Sequence, residues 1–181
     1  MARAGEVIES PDTRLVFLKT AADTNGEMLR FEQFVEPTHA SVPEHVHPRQ
    51  EERFEVVSGK MGVRAAGTER VVGAGEEIVV PPGTPHTFWN AGEGELHHVV
   101  ELKPALRHET FFETVFGLQR DGRNLSNPLQ GALIVLEYEN YLARPPIFVQ
   151  KIFFRPLALL GRLFGYRASY PRYSGDRVER S

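Results

Sequence analysis

The chain has 181 residues, of which 41% are hydrophobic and 25% charged, and these values are typical of a globular domain. A net charge of −3 indicates no surface for nucleic acid, and the absence of cysteine excludes disulfides, thiolate metal sites and a cysteine nucleophile. The N-terminus lacks the apolar core of a signal peptide and no apolar run has membrane-spanning length, so we expect a cytoplasmic protein.

Residues 1–104 have the pattern of a β-domain, in which short runs of alternating polarity are separated by turn residues. The predicted strands are Thr13–Thr20, Met28–Val35, Glu52–Ser58, Met61–Ala65, Glu69–Val72, Glu77–Val80, His86–Asn90 and Leu96–Leu102. Closely spaced strands joined by glycine-rich turns indicate an antiparallel jelly-roll β-barrel. The absence of an internal repeat predicts a single barrel.

After Pro104 the apolar spacing becomes helical, which predicts a helical extension over residues 105–170 and a polar, mobile tail over residues 171–181. The predicted helices are Arg107–Arg120, Leu129–Leu142 and Ile147–Gly165. Pro156 is expected to kink or divide the last of them. The expected fold class is therefore mainly β, a jelly-roll barrel followed by a C-terminal helical extension.

Three histidines and one glutamate have a spacing that suits a metal site. His45 and His47 are two residues apart in an extended segment, so their side chains point to the same side. Glu52 has the phase of the apolar residues in the next strand, whereas Glu51 has the phase of its charged residues and is expected on the surface. His86 begins a later strand. Because three imidazoles and a carboxylate are costly to bury without a partner, the pattern predicts a divalent metal ion.

These residues lie in two segments that resemble the two motifs of the cupin superfamily, specifically of the single-barrel cupin 2 conserved barrel proteins. Segment 45–59 reads HxH, four residues, Glu, six residues, Gly, and segment 75–90 reads G, five residues, PxG, two residues, H, three residues, N. The resemblance covers residues 30–104. The first motif of the family normally begins with a glycine six residues before its first histidine, and His39 stands there in this chain.

The resemblance implies a cupin, or RmlC-like, barrel with one divalent metal ion per chain. The implied metal ligands are His45, His47, Glu52 and His86. Three imidazoles and one carboxylate suit Fe, Mn, Ni, Co, Cu or Zn, and four protein ligands leave two positions of an octahedral site open. The implied function is a metal-dependent enzyme, specifically a dioxygenase-like oxidoreductase, or alternatively a non-catalytic barrel that binds or senses a small molecule.

The expected lining of the barrel adds a hypothesis about the ligand. Phe54, Val56, Met61 and Phe88 are predicted to face inward, which favours a small, rather apolar organic molecule as substrate or ligand. Asn90 has the same phase as Phe88 and is a polar group that can orient such a molecule. These five residues are the predicted substrate pocket.

The other histidines are interpreted as surface residues. His97 and His98 are neighbours on one strand, so only one of them can face inward, and exposed edge positions are the favoured interpretation. His39 is expected in a loop and His108 on a helix, both in contact with solvent.

The last predicted helix is both apolar and basic. Six basic residues and no acidic residue occur between Arg144 and Arg172, and a basic amphipathic helix can bind a membrane surface. We favour a helix that packs on the barrel or on a second subunit, because a barrel of this size has apolar edges to cover. The expected assembly is therefore a homodimer with a small-molecule ligand, without nucleic acid and without membrane binding.

Overall fold

The computed structural model describes residues 2–37, 42–123 and 126–174, and His39 lies outside them. Within these ranges it has eleven strands and three helices. The strands are β1 Val7–Ser10, β2 Thr13–Lys19, β3 Leu29–Val35, β4 His45–Val46, β5 Glu51–Ser58, β6 Lys60–Ala65, β7 Thr68–Gly73, β8 Glu77–Val80, β9 His86–Asn90, β10 Leu96–Lys103 and β11 Tyr141–Leu142. The helices are α1 His108–Arg120, α2 Pro128–Tyr138 and α3 Ile147–Leu163.

The strands form two antiparallel sheets around one core, which confirms the predicted jelly-roll barrel. The first sheet has the order β1-β2-β3-β10-β5-β8 and the second the order β11-β4-β9-β6-β7. Hairpins connect neighbouring strands: between β6 and β7 the chain turns through Ala66 and Gly67, both with positive φ, as a two-residue hairpin requires. Alternate side chains from strands of both sheets enter the core.

The second helix of the extension is shorter than predicted. α2 starts after Asn127, whose side chain caps the amide groups of Leu129 and Gln130. It ends at Tyr138 because Glu139 adopts a left-handed conformation with a φ of 53°. The prediction that this helix continues to Leu142 is therefore wrong.

The residues that follow α2 form strand β11, which joins the second sheet beside β4. Leu142 is paired with His45 and Tyr141 with Val46. The buried side chain of Gln150 fixes β11 to α3 through hydrogen bonds with the amide and the carbonyl group of Leu142. The extension thus supplies a strand to the barrel, next to the first histidine of the HxH segment.

Helix α3 runs through Pro156 without interruption, so this proline does not divide the helix, and a kink at Pro156 stays a prediction. Pro156 lies on an exposed face of α3. Because proline has no amide hydrogen, Pro156 cannot donate to the carbonyl group of Ile152 one turn earlier. That carbonyl group can be solvated on the exposed face instead.

Candidate metal centre

Three strands and the loop after β4 bring the four predicted metal ligands together. His45 on β4 is paired directly with His86 on β9, and Glu52 points inward from β5. One ligand atom from each of His45, His47, Glu52 and His86 lies within 4.8 Å of the others. The four residues are between 1% and 8% exposed. Chain segments far apart in sequence thus place four donors at one buried point.

Backbone carbonyl groups orient two of the imidazole rings. Nδ1 of His45 lies 2.8 Å from the carbonyl oxygen of Pro43, and Nδ1 of His86 lies 2.9 Å from that of Thr84. Since a carbonyl oxygen only accepts, both Nδ1 atoms carry the proton and donate it, which leaves Nε2 of each ring for another partner. This arrangement is typical of metal-binding histidines.

The carboxylate of Glu52 lies between the imidazoles. Its Oε2 atom is 2.7 Å from Nε2 of His86 and 3.6 Å from Nε2 of His47. Burial alone would raise the pKa of Glu52, but the hydrogen bond with His86 and the nearby imidazoles lower it to about 2. Burial alone would lower the pKa of His86, but the same contact with Glu52 raises it above its ordinary value. Glu52 is therefore a carboxylate, the form that binds metal.

The other two imidazoles are neutral at physiological pH. Burial lowers the pKa of His45 to about 3 and that of His47 to about 4. Neutral imidazoles and a carboxylate are the donor forms that a divalent first-row metal requires. Nδ1 of His47 has no hydrogen-bond partner in the described part of the chain. The donor set, the convergence of the four residues and the carbonyl-oriented rings together fit a divalent metal ion.

The alternation of side chains along β5 places Glu51 and Glu52 on opposite sides of the strand, as expected from the sequence. Glu52 is buried with Phe54 and Val56, whereas Glu51 is only half-buried and Glu55 is exposed. The inward position of Glu52 is therefore confirmed.

His108 is a buried residue beside this cluster, and the prediction that it is solvated is wrong. It is 1% exposed, and its ring centroid lies 5.1 Å from that of His47. Neither of its ring nitrogens has a hydrogen-bond partner among the described residues. The spacing of His108 with Phe111 and Phe112 is that of one helical face, and this i, i+3, i+4 pattern was the available sequence signal.

His98 is also buried, so its interpretation as an exposed edge residue is wrong. It is 0% exposed and lies inside the barrel near the rings of Phe54 and Phe88, while neighbouring His97 stacks on Phe34 outside. His98 has the phase of Leu96, Val100 and Leu102, which are buried on the same side of β10, and this alternation was the available sequence signal. Burial lowers the pKa of His98 to about 3.

The predicted pocket residues divide into two groups. Phe54, Val56, Met61 and Phe88 belong to the buried core of the barrel. Asn90 has a different role: its side-chain amide donates to the carbonyl groups of Val35 and Gly94, and its side-chain oxygen accepts from Gly92. The amide of Asn90 thus organises the turn after β9, and its hydrogen bonds leave it little capacity to orient a ligand.

Comparison with known proteins gives the same family as the site. The cupin domain family matches residues 31–100. The chain is 32% identical over 152 residues to a probable oxidoreductase of Hypocrea virens, covering 72% of this chain and 67% of that protein. It is 25% identical over 186 residues to an oxidoreductase of Arthrobotrys oligospora, covering 93% of this chain and 72% of that one.

Solved structures agree in fold. A predicted oxalate decarboxylase from Thermotoga maritima has a TM-score of 0.51 and 18% identity, covering 57% of this chain and 98% of its own. An RmlC-like cupin from Shewanella frigidimarina has a TM-score of 0.50 and 20% identity, covering 60% of this chain and 92% of its own. These neighbours show a likeness in fold alone, and each covers 60% of this chain or less. By its fold, its motif residues and its relatives, this chain belongs to the cupin superfamily.

Proposed function

We propose that this cupin binds one divalent transition-metal ion and acts as a metal-dependent, dioxygenase-like oxidoreductase on a small, rather apolar organic molecule. The observation that carries the proposal is the convergence of four buried donor atoms within 4.8 Å. The proposed ligands are His45, His47, Glu52 and His86. Relatives that are named as oxidoreductases support the reaction class. The homodimer and the cytoplasmic location stay predictions.

The residues of this chain have separate proposed tasks. The metal, which is Fe, Mn, Ni, Co, Cu or Zn, would supply redox or Lewis-acid chemistry. The barrel wall, which includes Phe54 and Phe88, excludes water and favours an apolar ligand. His108 extends this wall from α1, and its two ring nitrogens, which have no partner among the described residues, can form a hydrogen bond with a polar group of the ligand. We therefore propose His108 as a ligand-positioning residue.

The second candidate is a non-catalytic, metal-containing barrel that binds or senses a small molecule. The specific observation in its favour is the closure of the site, since all four donors are nearly inaccessible and the ring of His108 packs against that of His47. An enzyme needs a metal position that a small molecule can reach, whereas a non-catalytic barrel can bind its small molecule away from a sealed metal centre. Access to the metal therefore distinguishes the two functions.

Azide tests this access in cobalt-substituted protein. We expect added azide to shift the visible absorption bands of the bound Co(II), because four protein ligands leave coordination positions for an exogenous anion. The measurement is a titration followed by absorption spectroscopy, with Co(II) in buffer as the control. Bands that stay unchanged at high azide concentration would contradict the enzyme proposal and favour the sealed barrel.

A His108→Phe variant tests the proposed positioning residue in the same assay. We expect it to retain cobalt but to bind azide roughly 10- to 150-fold more weakly, because a hydrogen bond to a charged group contributes about 1.5–3 kcal/mol. The matched control is His97→Phe, which removes a histidine from the outside of the barrel. Equal azide affinities of the His108→Phe variant and the wild type would show that His108 has no such role.

A further inference from the structure

The outer side of α3 is a large apolar surface that the described residues of this chain leave uncovered. Six large apolar side chains of the helix are between 46% and 76% exposed. They are Phe148, Ile152, Phe153, Leu159, Leu160 and Leu163, which we call the outer face of α3. An apolar surface of this extent marks an interaction site.

The opposite side of α3 holds the helix in place. Ala158 packs in a cluster with Ala132 and Leu133 of α2. The approach of the helices is close at Gly161, where an added Cβ atom would lie 3.1 Å from the carbonyl oxygen of Leu129. The outer face is therefore presented to solvent by a helix that is already fixed on its inner side.

Charge is strongly segregated toward this part of the chain. Residues 140–175 contain six arginine and lysine residues and no aspartate or glutamate. Since the whole chain carries −3, the other 145 residues carry −9. The apolar helix thus lies in a segment with a charge of +6 in an otherwise acidic protein.

Part of this positive charge lines a groove along one edge of the outer face. Lys151, Arg155 and Arg162 line a cavity of about 430 Å³ between α2, β11 and α3. Glu139 also lines it, but its carboxylate forms an ion pair with Arg49. In the part of the chain that the structure describes, no carboxylate forms an ion pair with the three cations.

We propose that α3 docks on an anionic lipid surface. The outer face would enter the boundary between headgroups and acyl chains, and Lys151, Arg155 and Arg162 would contact headgroup phosphates at its edge. Symmetric pairing of α3 with a second copy is disfavoured, because it would bring two segments of charge +6 together. No helix in the described ranges is long and apolar enough to cross a membrane, which agrees with surface docking. The proposal does not depend on the metal site.

Co-sedimentation of the full chain with vesicles tests the proposal. We expect binding at low salt to vesicles that mix phosphatidylcholine with phosphatidylglycerol, and little binding to phosphatidylcholine alone. A Lys151→Gln, Arg155→Gln, Arg162→Gln variant should bind roughly 100-fold more weakly, given the contribution of each basic residue near an anionic surface. High salt should weaken wild-type binding because it screens the charges.

Variants of the apolar surface complete the test. A Leu159→Glu, Leu163→Glu variant should lose vesicle binding while it retains its circular dichroism spectrum, because both side chains are exposed. Val71→Glu, which charges an exposed valine on β7, is the matched control and should bind normally. Absence of wild-type binding to anionic vesicles would overturn the proposal. So would light scattering that shows a wild-type dimer which Leu159→Glu, Leu163→Glu converts to a monomer, because a second copy would then cover the outer face.

Discussion

Replacement of both His45 and His86 by alanine is expected to abolish metal binding. Wild-type protein purified without chelator should contain close to one transition-metal ion per chain, and the double variant less than about a tenth of that. The physical reason is that two of the four donors are lost. The two that remain, Oε2 of Glu52 and Nε2 of His47, lie 3.6 Å apart and cannot surround an ion by themselves. Elemental analysis of the purified proteins gives both values.

Two single variants keep this experiment decisive if the double variant folds poorly. Removal of His86 leaves the buried carboxylate of Glu52 without its closest partner, which is destabilising. Glu52→Gln is a milder change of the same cluster and should also lose most of the metal. Glu51→Gln, its neighbour on the other side of β5, should keep the metal. Metal that persists in Glu52→Gln and in the double variant would show that the assigned ligands are wrong.

Acidification is expected to destabilise the wild type more than a His98→Leu variant. The pKa of His98 is lowered to about 3 in the folded chain, against 6.5 as its ordinary value. As the pH falls below 6.5 the unfolded chain binds a proton that folded His98 cannot accept, so stability is lost from that pH down toward 3. Between pH 7.5 and 4.5 the wild type should therefore lose about 2–3 kcal/mol more of its free energy of unfolding than the His98→Leu variant.

The measurement is urea unfolding of both proteins at the two pH values, after removal of metal. A matched control is Val100→Ala, which changes another buried position on the same strand. It should lower stability by about 1–2 kcal/mol at both pH values and keep the pH dependence of the wild type. If the stability of His98→Leu has the same pH dependence as that of the wild type, the pKa of His98 is not lowered by burial in the folded chain.

The helical extension contributes to the candidate metal centre more than its position in the sequence indicates. The cupin family matches residues 31–100. Strand β11 nevertheless pairs with β4 beside His45, and His108 of α1 contacts His47. Gln50 connects the two parts, since its side-chain amide donates to the carbonyl oxygen of Pro104 at their boundary. The extension thus forms part of the wall around the site and is not a separate appendage.

The ring nitrogens of His98 and His108 are polar groups in the interior that indicate where a ligand or water binds. Both residues are buried, and none of their ring nitrogens has a partner in the described ranges. An unsatisfied polar group of this kind costs stability, and such groups concentrate where a ligand or water completes the structure. His108 lies against the metal cluster and is the stronger candidate for a ligand contact, whereas His98 is enclosed by aromatic rings.

Sequence by itself predicted eight of the eleven described strands, the four candidate ligands and the choice of Glu52 over Glu51. These features depend on the two-residue period of a single strand, which is visible in the chain without knowledge of its partners. Only the tertiary structure decided that β11 joins the barrel, that His108 lies against the metal cluster and that the described residues leave the outer face of α3 uncovered. Each of these depends on a neighbour distant in sequence: β4 for β11, His47 for His108, and α2 for the orientation of α3. A local pattern predicts which residues share a face, but the packing of remote segments decides what that face meets.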